Sequence, residues 1–595
     1  SMKRRIVLNT ATLLIMVIWS MVGPALSERR VHAQITYHLL IIAPDDFVDE
    51  LQPLKRFKDA TARPTILVSL SQVYDSFDGD DEAEQIKNAI ASYVTTSGID
   101  HVMLVGDVDR FPVRWIWWGL PGQEGWGASD LYYADLFRTG TTVFDDWDLN
   151  GNELYGETEF TPDGTINNDQ IDYLPDVAVG RVPASTEQEV AAYVEKVIAY
   201  EMRTVPTSTW FQRAALYTGT WLYANDLKDA IGVGLADLGF TLIKRYADWS
   251  GPEPQPPPNV PTAVLDDLNA GVGLVNYVGH GRDTDCLACL GLCSANLGTH
   301  LVDVLSPVVF AAACDTSFFS WLPRAHPYRD VNGVLHCGVA NGESLDPGTY
   351  PHPSLPRPAP VQSGVVSCAG PLCTTCNLDH ACLGESFLFG NPLGSTGAIA
   401  YLGERSGGQV TSLDLDRYFF EAYSSQGLTV LGDMWTYMIE QYYDQHDLAT
   451  SHTWQRDPTE WSDGHVFTEP QKFVLFGDPS LVVGGAFPNS LSGFVWDSNG
   501  GPWFGNRRYR VAGNIVVPSG QTLTIYQGAS VMFEDGSEIT AFGTDPGEGL
   551  ILNATTGMPV YFLSMGPNPQ SEHVVHGMKI LGQVRVRDGG QIKLH

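Results

Sequence analysis

Positive charge is scarce in this chain of 595 residues: 35 Lys and Arg stand against 69 Asp and Glu, for a formal net charge of −34. A surface that negative repels phosphate backbones and anionic lipid, so binding to nucleic acid or to membrane surfaces falls away as a main function. Long apolar runs are missing too. Beyond Val22 nothing approaches the roughly 18 unbroken apolar residues of a membrane span. Long polar tracts are equally absent: 44% of residues are hydrophobic and 17% charged, a globular balance that excludes wholesale disorder. Cysteine is absent from most of the chain, all nine residues lying between Cys286 and Cys382. At roughly 100–200 residues per domain, the length calls for two to four domains. Calcium ligation and an exported life both suit this composition.

The N-terminus points the same way. Lys3, Arg4 and Arg5 precede an apolar stretch from Ile6 to Val22, and Val31-His32-Ala33 offers a cleavage site before Gln34. Residues 1–33 therefore read as a signal peptide, with an uncleaved signal anchor as the alternative. The expected location is secreted or cell-surface.

Along the mature chain, Tyr37 to Ala43, Ile66 to Leu70 and His101 to Gly106 are short continuous apolar runs, the pattern of strands buried on both faces. A helical pattern with Ile86, Ala89, Ile90, Tyr93 and Val94 on one face separates the second run from the third. Thr186 and Glu189 form a capping box ahead of Val190, Tyr193, Val194, Val197 and Ile198. Alternating strands and helices predict a parallel sheet with right-handed crossovers. The pattern resumes at Ala214–Tyr217, Phe240–Lys244, Gly273–Val278, Pro307–Ala313 and Gly397–Leu402. Residues 34–204 and 207–485 thus read as two α/β subdomains, the second interrupted over 323–382 by a Pro-, Gly-, Cys- and His-rich insertion. From 490 to 595 the texture becomes all-β. Ile515–Val517, Leu523–Ile525, Val531–Phe533 and Val584–Val586 alternate with Gly and Asp turns, which predicts a β-solenoid or β-sandwich. Nothing in it suggests catalysis, and its expected role is surface attachment.

The sharpest metal pattern is Asp146-Trp-Asp148-Leu-Asn150-Gly151-Asn152-Glu153-Leu154-Tyr155-Gly156-Glu157. Oxygen ligands at alternate positions, a glycine sixth and a glutamate twelfth match a calcium loop. Asp146, Asp148, Asn150, Asn152 and Glu157 are the expected ligands of a structural Ca2+. Leu154 departs from the usual polar ninth position, and no paired helices flank the loop. The plain alternative is a solvated acidic loop.

A second constellation lies at two strand ends: Asn276-Tyr277-Val278-Gly279-His280-Gly281 and Phe310-Ala-Ala-Ala-Cys314-Asp315. Carboxyl ends of parallel strands line the ligand crevice of open sheets. If these two strands are neighbours, His280 and Cys314 emerge side by side. A thiol, an imidazole and backbone N–H donors suffice for acyl transfer. Gly281, lacking a side chain, could bring its N–H to a substrate carbonyl, with the N–H of Cys314 as second donor. Taken singly, each piece is as well explained by a turn histidine and a buried small thiol.

Together these segments resemble the gingipain-type cysteine peptidases, in the clan that also holds caspases and legumain. Leu104-Val-Gly-Asp107, Ser129-Asp-Leu-Tyr-Tyr-Ala-Asp135, Pro175-Asp-Val-Ala-Val-Gly-Arg181 and Phe476-Gly-Asp-Pro-Ser-Leu481 agree with the same family, in its order, across roughly residues 36–485. The resemblance implies a caspase-like α/β fold in two subdomains, endopeptidase activity on protein or peptide substrates, Cys314 as nucleophile and His280 as its acid/base partner. It also favours calcium near the first subdomain's sheet.

The departures from the family are specific. The helix that usually follows the nucleophile closely is expected only near Leu383, after the insertion. No residue that would orient the imidazole is evident, Asp226 being the candidate. Glu404 is a candidate floor for a pocket selecting Lys or Arg, the alternative being a solvated surface carboxylate. With Cys314 set aside, eight cysteines remain, an even number suited to disulfides around the cleft. The spacings Cys286-x2-Cys289-x3-Cys293 and Cys368-x4-Cys373-x2-Cys376-x5-Cys382, near His336 and His380, also admit zinc. The rival to a peptidase is a secreted, non-enzymatic surface or glycan-binding protein with a peptidase-like body. A hydrolase for another ester or amide is a third reading.

Overall fold

The apolar runs of the first two-thirds of the chain become strands of one sheet. The computed structural model describes residues 37–594 apart from 109, 120–124, 160–168, 222, 283–285, 288–289, 291, 294–296, 298–304, 320–326, 330–334, 338–364, 368–374, 378–381, 390–396, 449–463, 488–489, 506, 535–536, 543–548, 554–559, 565–577 and 581–591. The expected signal peptide and most of the insertion 323–382 lie outside the described residues. So do Cys289, Cys368, Cys373 and His380, along with the side chains of Cys286, Cys293, His336, Cys337 and Cys376.

The strands of the main sheet are β1 (Leu39–Ala43), β2 (Thr65–Ser69), β3 (His101–Val105), β4 (Ala178–Val182), β5 (Arg213–Thr218), β6 (Thr241–Arg245), β7 (Leu274–Val278), β8 (Val308–Ala312), β9 (Ala400–Glu404) and β10 (Phe473–Phe476). Their spatial order is β2-β1-β3-β4-β10-β9-β8-β7-β5-β6. Every neighbouring pair is parallel except β9–β10. The two α/β subdomains therefore share one continuous ten-stranded sheet. Residues of β1, β3, β7, β8 and β9 are all buried, in keeping with apolar runs covered on both faces.

Helices α1 (Val48–Ala60), α2 (Leu70–Ser76), α3 (Glu82–Ser97), α4 (Glu187–Arg203), α5 (Ala224–Asp237), α6 (Thr262–Asn269), α7 (Leu383–Phe389), α8 (Ser412–Ser424) and α9 (Leu431–Gln445) accompany it. The capping box at α4 forms in both directions. Thr186 Oγ1 accepts from the Glu189 N–H at 3.2 Å, and Glu189 Oε2 accepts from the Thr186 N–H at 3.1 Å, a motif worth roughly 1 kcal/mol. The helix expected near Leu383 begins there. The strand expected over Gly397–Leu402 forms three residues later, after Gly397 takes a positive φ of 99°.

In the C-terminal region all seven strand pairs among the described residues are parallel. Parallel pairing between successive short strands is the geometry of a solenoid and excludes an antiparallel sandwich. Val511, Ile515, Leu523, Val531, Phe533 and Phe562 fill its interior. The module is fastened to the α/β body by polar contacts to the last turns of two helices. Arg508 Nε donates to the Thr61 carbonyl at 2.8 Å, Arg510 Nη1 to the Met202 carbonyl at 3.0 Å, and Ser530 Oγ to the Ala60 carbonyl. Carbonyls at helix ends lack intrahelical partners and carry partial negative charge, so cationic donors suit them.

Candidate active site

Register brings the two candidate side chains together. In the β7–β8 pair, Val278 lies opposite Ala312 and closes the ladder. The Gly279 N–H then donates to the Ala312 carbonyl at 3.2 Å. His280 and Cys314 each sit two residues past this last pair, at the same edge of adjacent strands. The backbones touch there: a Cβ on Gly281 would stand 1.8 Å from the Cys314 carbonyl oxygen. Only glycine fits that position.

The chain turns sharply after the thiol. Asp315 takes a positive φ of 62°, a conformation Asp tolerates better than most residues. Its N–H donates to the Ser406 carbonyl at 3.2 Å, and the Ser317 N–H to the Glu404 carbonyl at 2.9 Å. The turn is thus stitched to the segment that follows β9. Cys314 is half-buried and unbridged. Its Sγ accepts from the Gly408 N–H at 3.3 Å. Burial, with the nearby Glu404 carboxyl adding, pushes the thiol up to about 11, while the Gly408 N–H pulls the other way.

Glu404 is 0% exposed, and among the described residues neither carboxylate oxygen has a partner at hydrogen-bond distance, Ser412 being the hydroxyl that favours its ionised form. The solvated-surface alternative for this residue is corrected: β9 carries it inside. Burial holds its carboxyl well above the ordinary range, Glu469 adds to the shift, and Lys472 opposes it. Lys472 donates to Glu469 Oε1 and to the Gly407 carbonyl, both at 3.1 Å. Gly408 joins the two features of the site. A Cβ there would stand 1.6 Å from Glu404 Oε2, while its N–H faces the Cys314 sulfur.

Beneath β7 lies a polar network that sequence reading missed. Lys228 on α5 donates to Asn276 Oδ1 at 2.5 Å and pairs with Asp416 on α8, while Asn276 Nδ2 donates to Asp416 Oδ1 at 2.8 Å. All three are fully buried. Burial pushes Lys228 down to about 8 and Asp416 up, each partly offset by the other. Asn276 stood in the quoted motif, but its partners lie 48 and 140 residues away. Only the fold could reveal them.

His280 is exposed. Its carbonyl accepts from the Tyr277 hydroxyl at 3.0 Å, and its ring stacks on Trp221 with centroids 6.2 Å apart and planes 8° from parallel. Asp226, the candidate orienting residue, is exposed in the first turn of α5 and makes no hydrogen bond to His280. The turn of helix that holds it leaves its carboxylate in solvent.

The loop expected to bind calcium is closed by its own amides. Glu157 Oε2 accepts from Asn150 Nδ2 at 2.7 Å and from Asn152 Nδ2 at 3.0 Å. Asp148 accepts from the N–H groups of Asn152 and Glu153, both at 2.9 Å, and Asp146 from that of Asp148 at 3.2 Å. Gly151 makes the turn at φ 70°. Among the described residues no group of three or more His, Cys, Asp or Glu is placed so that it could hold a metal ion. Sequence reading overlooked Asp169. It is fully buried, accepts from the Glu157 N–H at 2.8 Å, and among the described residues has one carboxylate oxygen without a partner at hydrogen-bond distance. Burial pushes it up to about 8, with Glu157 and Asp148 adding.

The cysteine parity argument is corrected at Cys382. This thiol is free and fully buried at the start of α7, packed into the main core, where it bridges no partner. It leaves the expected disulfide and zinc sets, so two thiols rather than one are free among the described residues. The other seven cysteines fall outside the described side chains.

Fold and site together define an α/β protein with a thiol and an imidazole at the carboxyl edge of adjacent parallel strands. Residues 32–327, just under half of the chain and including both side chains, match the model of peptidase family C25. The chain is 30% identical to Lys-gingipain of Porphyromonas gingivalis over 204 residues, 29% of this chain and 11% of that protein. It is 25% identical to gingipain R2 of the same organism over 169 residues, 25% of this chain and 21% of that one. These alignments span only a small part of either relative. A crystal structure of the Arg-specific cysteine proteinase gingipain R superposes with a TM-score of 0.49 at 15% identity, covering 77% of this chain and 81% of that chain. Over residues 32–327 the chain is similar to peptidase family C25, and the relatives it matches there are gingipains.

Proposed function

We propose that the protein is a secreted, gingipain-like cysteine endopeptidase working through Cys314 and His280. The observation that carries the reading is the β7–β8 register, which leaves both residues two positions beyond Val278 and Ala312. The Cys314 thiol passes its proton to His280, and the thiolate attacks the peptide carbonyl carbon. N–H groups of Gly281 and Cys314 hold the oxyanion. The imidazolium then protonates the departing amine, and water attacks the thioester to release the acid and restore the thiol.

Glu404 forms the floor of the pocket that takes a Lys or Arg side chain at the cleaved bond. Its support is a buried carboxyl without a hydrogen-bond partner, tied through Gly408 to the thiol. A cationic side chain would supply the missing partner. Ca2+ at Asp146, Asp148, Asn150, Asn152 and Glu157 would be structural. The orphaned oxygen of Asp169 beside Glu157 suits a hard cation and adds a ligand to that set. The apolar leader at residues 1–33 supports export, and the solenoid would attach the enzyme to a surface.

The test is cleavage of a mixed peptide library in calcium and mild reductant, beside Cys314→Ala. Cleavage after Lys or Arg that disappears in the variant is expected. Cleavage surviving in the variant removes Cys314 from the reaction. Silence from both proteins replaces the peptidase with the surface-binding reading.

A further inference from the structure

His280 has an unusual neighbourhood for an acid/base histidine. Its carbonyl is held by the Tyr277 hydroxyl, yet among the described residues no side chain is hydrogen-bonded to either ring nitrogen. What lies alongside the ring is an indole, its centroid 6.2 Å away. Trp221 follows the end of β5, the strand that pairs with β7 on the side away from β8. The β5 and β7 edges are locked in register, Thr218 opposite Val278, and the Gly219 N–H donates to the Val278 carbonyl at 2.7 Å. A Cβ on Gly279 would stand 2.9 Å from Gly219 Cα, so the two backbones are in contact just before the two rings meet. Trp221 is therefore delivered to His280 by the sheet itself, from the flank opposite Cys314.

We propose that Trp221 is the positioning residue of His280, its indole face taking over the task of orienting the imidazole. This rests on the peptidase reading and deepens it. The planes lie 8° from parallel with centroids 6.2 Å apart, an offset stack that favours an imidazole plane parallel to the indole. Both ring nitrogens then stay in a layer parallel to the indole. The π face also attracts an imidazolium more than a neutral imidazole. Stacking thus favours the state in which the Cys314 proton has moved to His280. No carboxylate is needed for that preference, in keeping with an Asp226 that makes no hydrogen bond to His280. Cys314 needs such help, since burial and Glu404 both oppose its ionisation.

Trp221→Ala, Trp221→Leu and Trp221→Phe in the full chain separate an aromatic effect from simple packing. Two readouts are used: kcat and KM on a peptide amide with Lys at the cleaved bond, and the pH dependence of Cys314 alkylation by iodoacetamide. Alkylation needs no substrate and reports on the thiolate even if the peptidase reading fails. Cys382, buried throughout, is replaced by Ala in every protein compared. The Ala and Leu variants are expected to lose about tenfold in kcat with KM changed less than threefold, in line with a cation–π contribution of about 1.4 kcal/mol. Their alkylation should begin at higher pH, and Phe should restore both. Leu matching wild type in both readouts would reduce Trp221 to a packing residue and overturn the proposal. So would an Ala variant with unchanged alkylation. Loss of all peptide cleavage by wild type, with the alkylation shift intact, would instead defeat the peptidase reading and leave the pairing of Trp221 with His280 standing.

Discussion

Two buried charges in one sheet have opposite fates. Arg181 on β4 is fully buried, and its guanidinium spends itself completely. Nε and Nη2 grip both oxygens of Asp130 at 2.7 Å, and Nη1 donates to the Gly106 carbonyl at 2.8 Å. Glu404 on β9 is as deeply buried, yet among the described residues neither of its oxygens has a partner at hydrogen-bond distance. Burying a polar group without a partner costs about 1–3 kcal/mol, and more for a charge. A protein that satisfies one such group and leaves the other bare is using them differently. Arg181 holds the first subdomain together, whereas Glu404, on the proposed reading, is left for a cationic substrate side chain.

Substitution should separate the two cases. Arg181→Met strands Asp130 in the interior and is expected to cost about 3–5 kcal/mol of stability, read by denaturant unfolding. Glu404→Gln should leave stability equal or higher. Its effect belongs to kcat/KM on Lys or Arg substrates, with a loss on the order of a hundredfold, about 2–3 kcal/mol. A Glu404→Gln protein that unfolds more easily and keeps its selectivity would reverse the assignment. The contrast has a pH signature as well. Because the folded protein holds the Glu404 carboxyl well above its unfolded value, the folded state binds more protons than the unfolded one above about pH 4.3. This group's contribution to stability therefore falls as pH rises from there. The stability advantage of Glu404→Gln should widen with pH over the same range, and a constant difference would mean that Glu404 is paired after all.

The smallest effect concerns Asp169, a second buried carboxyl with an oxygen left unpartnered among the described residues. If Asp169 and Glu157 hold calcium, chelation should lower stability by about 1.4 kcal/mol from a starting calcium level tenfold above the dissociation constant. Asp169→Asn should abolish that difference. A thermal midpoint indifferent to chelator would leave the loop closed by Asn150 and Asn152 alone.

Much of this molecule could be read in advance, and the misses share a cause. β1, β3, β7 and β8 were legible because strands covered on both faces are uninterrupted apolar runs. β4 was quoted as a motif but not as a strand. Gly180 and Arg181 interrupt its apolar character, the first because a Cβ would meet the Gly477 carbonyl at 2.5 Å, the second because Asp130 awaits it 51 residues upstream. The choice between sandwich and solenoid was likewise open. Alternating short strands look alike in both, and pairing direction decides between them.

At the site, residue types and strand ends singled out His280, Gly281, Cys314 and Glu404. Their place at a sheet edge was legible, because a strand that stops at a small or polar residue announces its own end. The sequence also carries the apolar stretch Ile6 to Val22, the acidic balance and the calcium-type spacing, since each can be read without the fold. Tertiary structure alone decided that β7 and β8 are neighbours, that Glu404 faces inward without a partner, that Trp221 rather than Asp226 meets the imidazole, and that Cys382 is a core residue. Each of these depends on contacts between residues far apart in the chain, and packing energy selects them only after the whole sheet has closed.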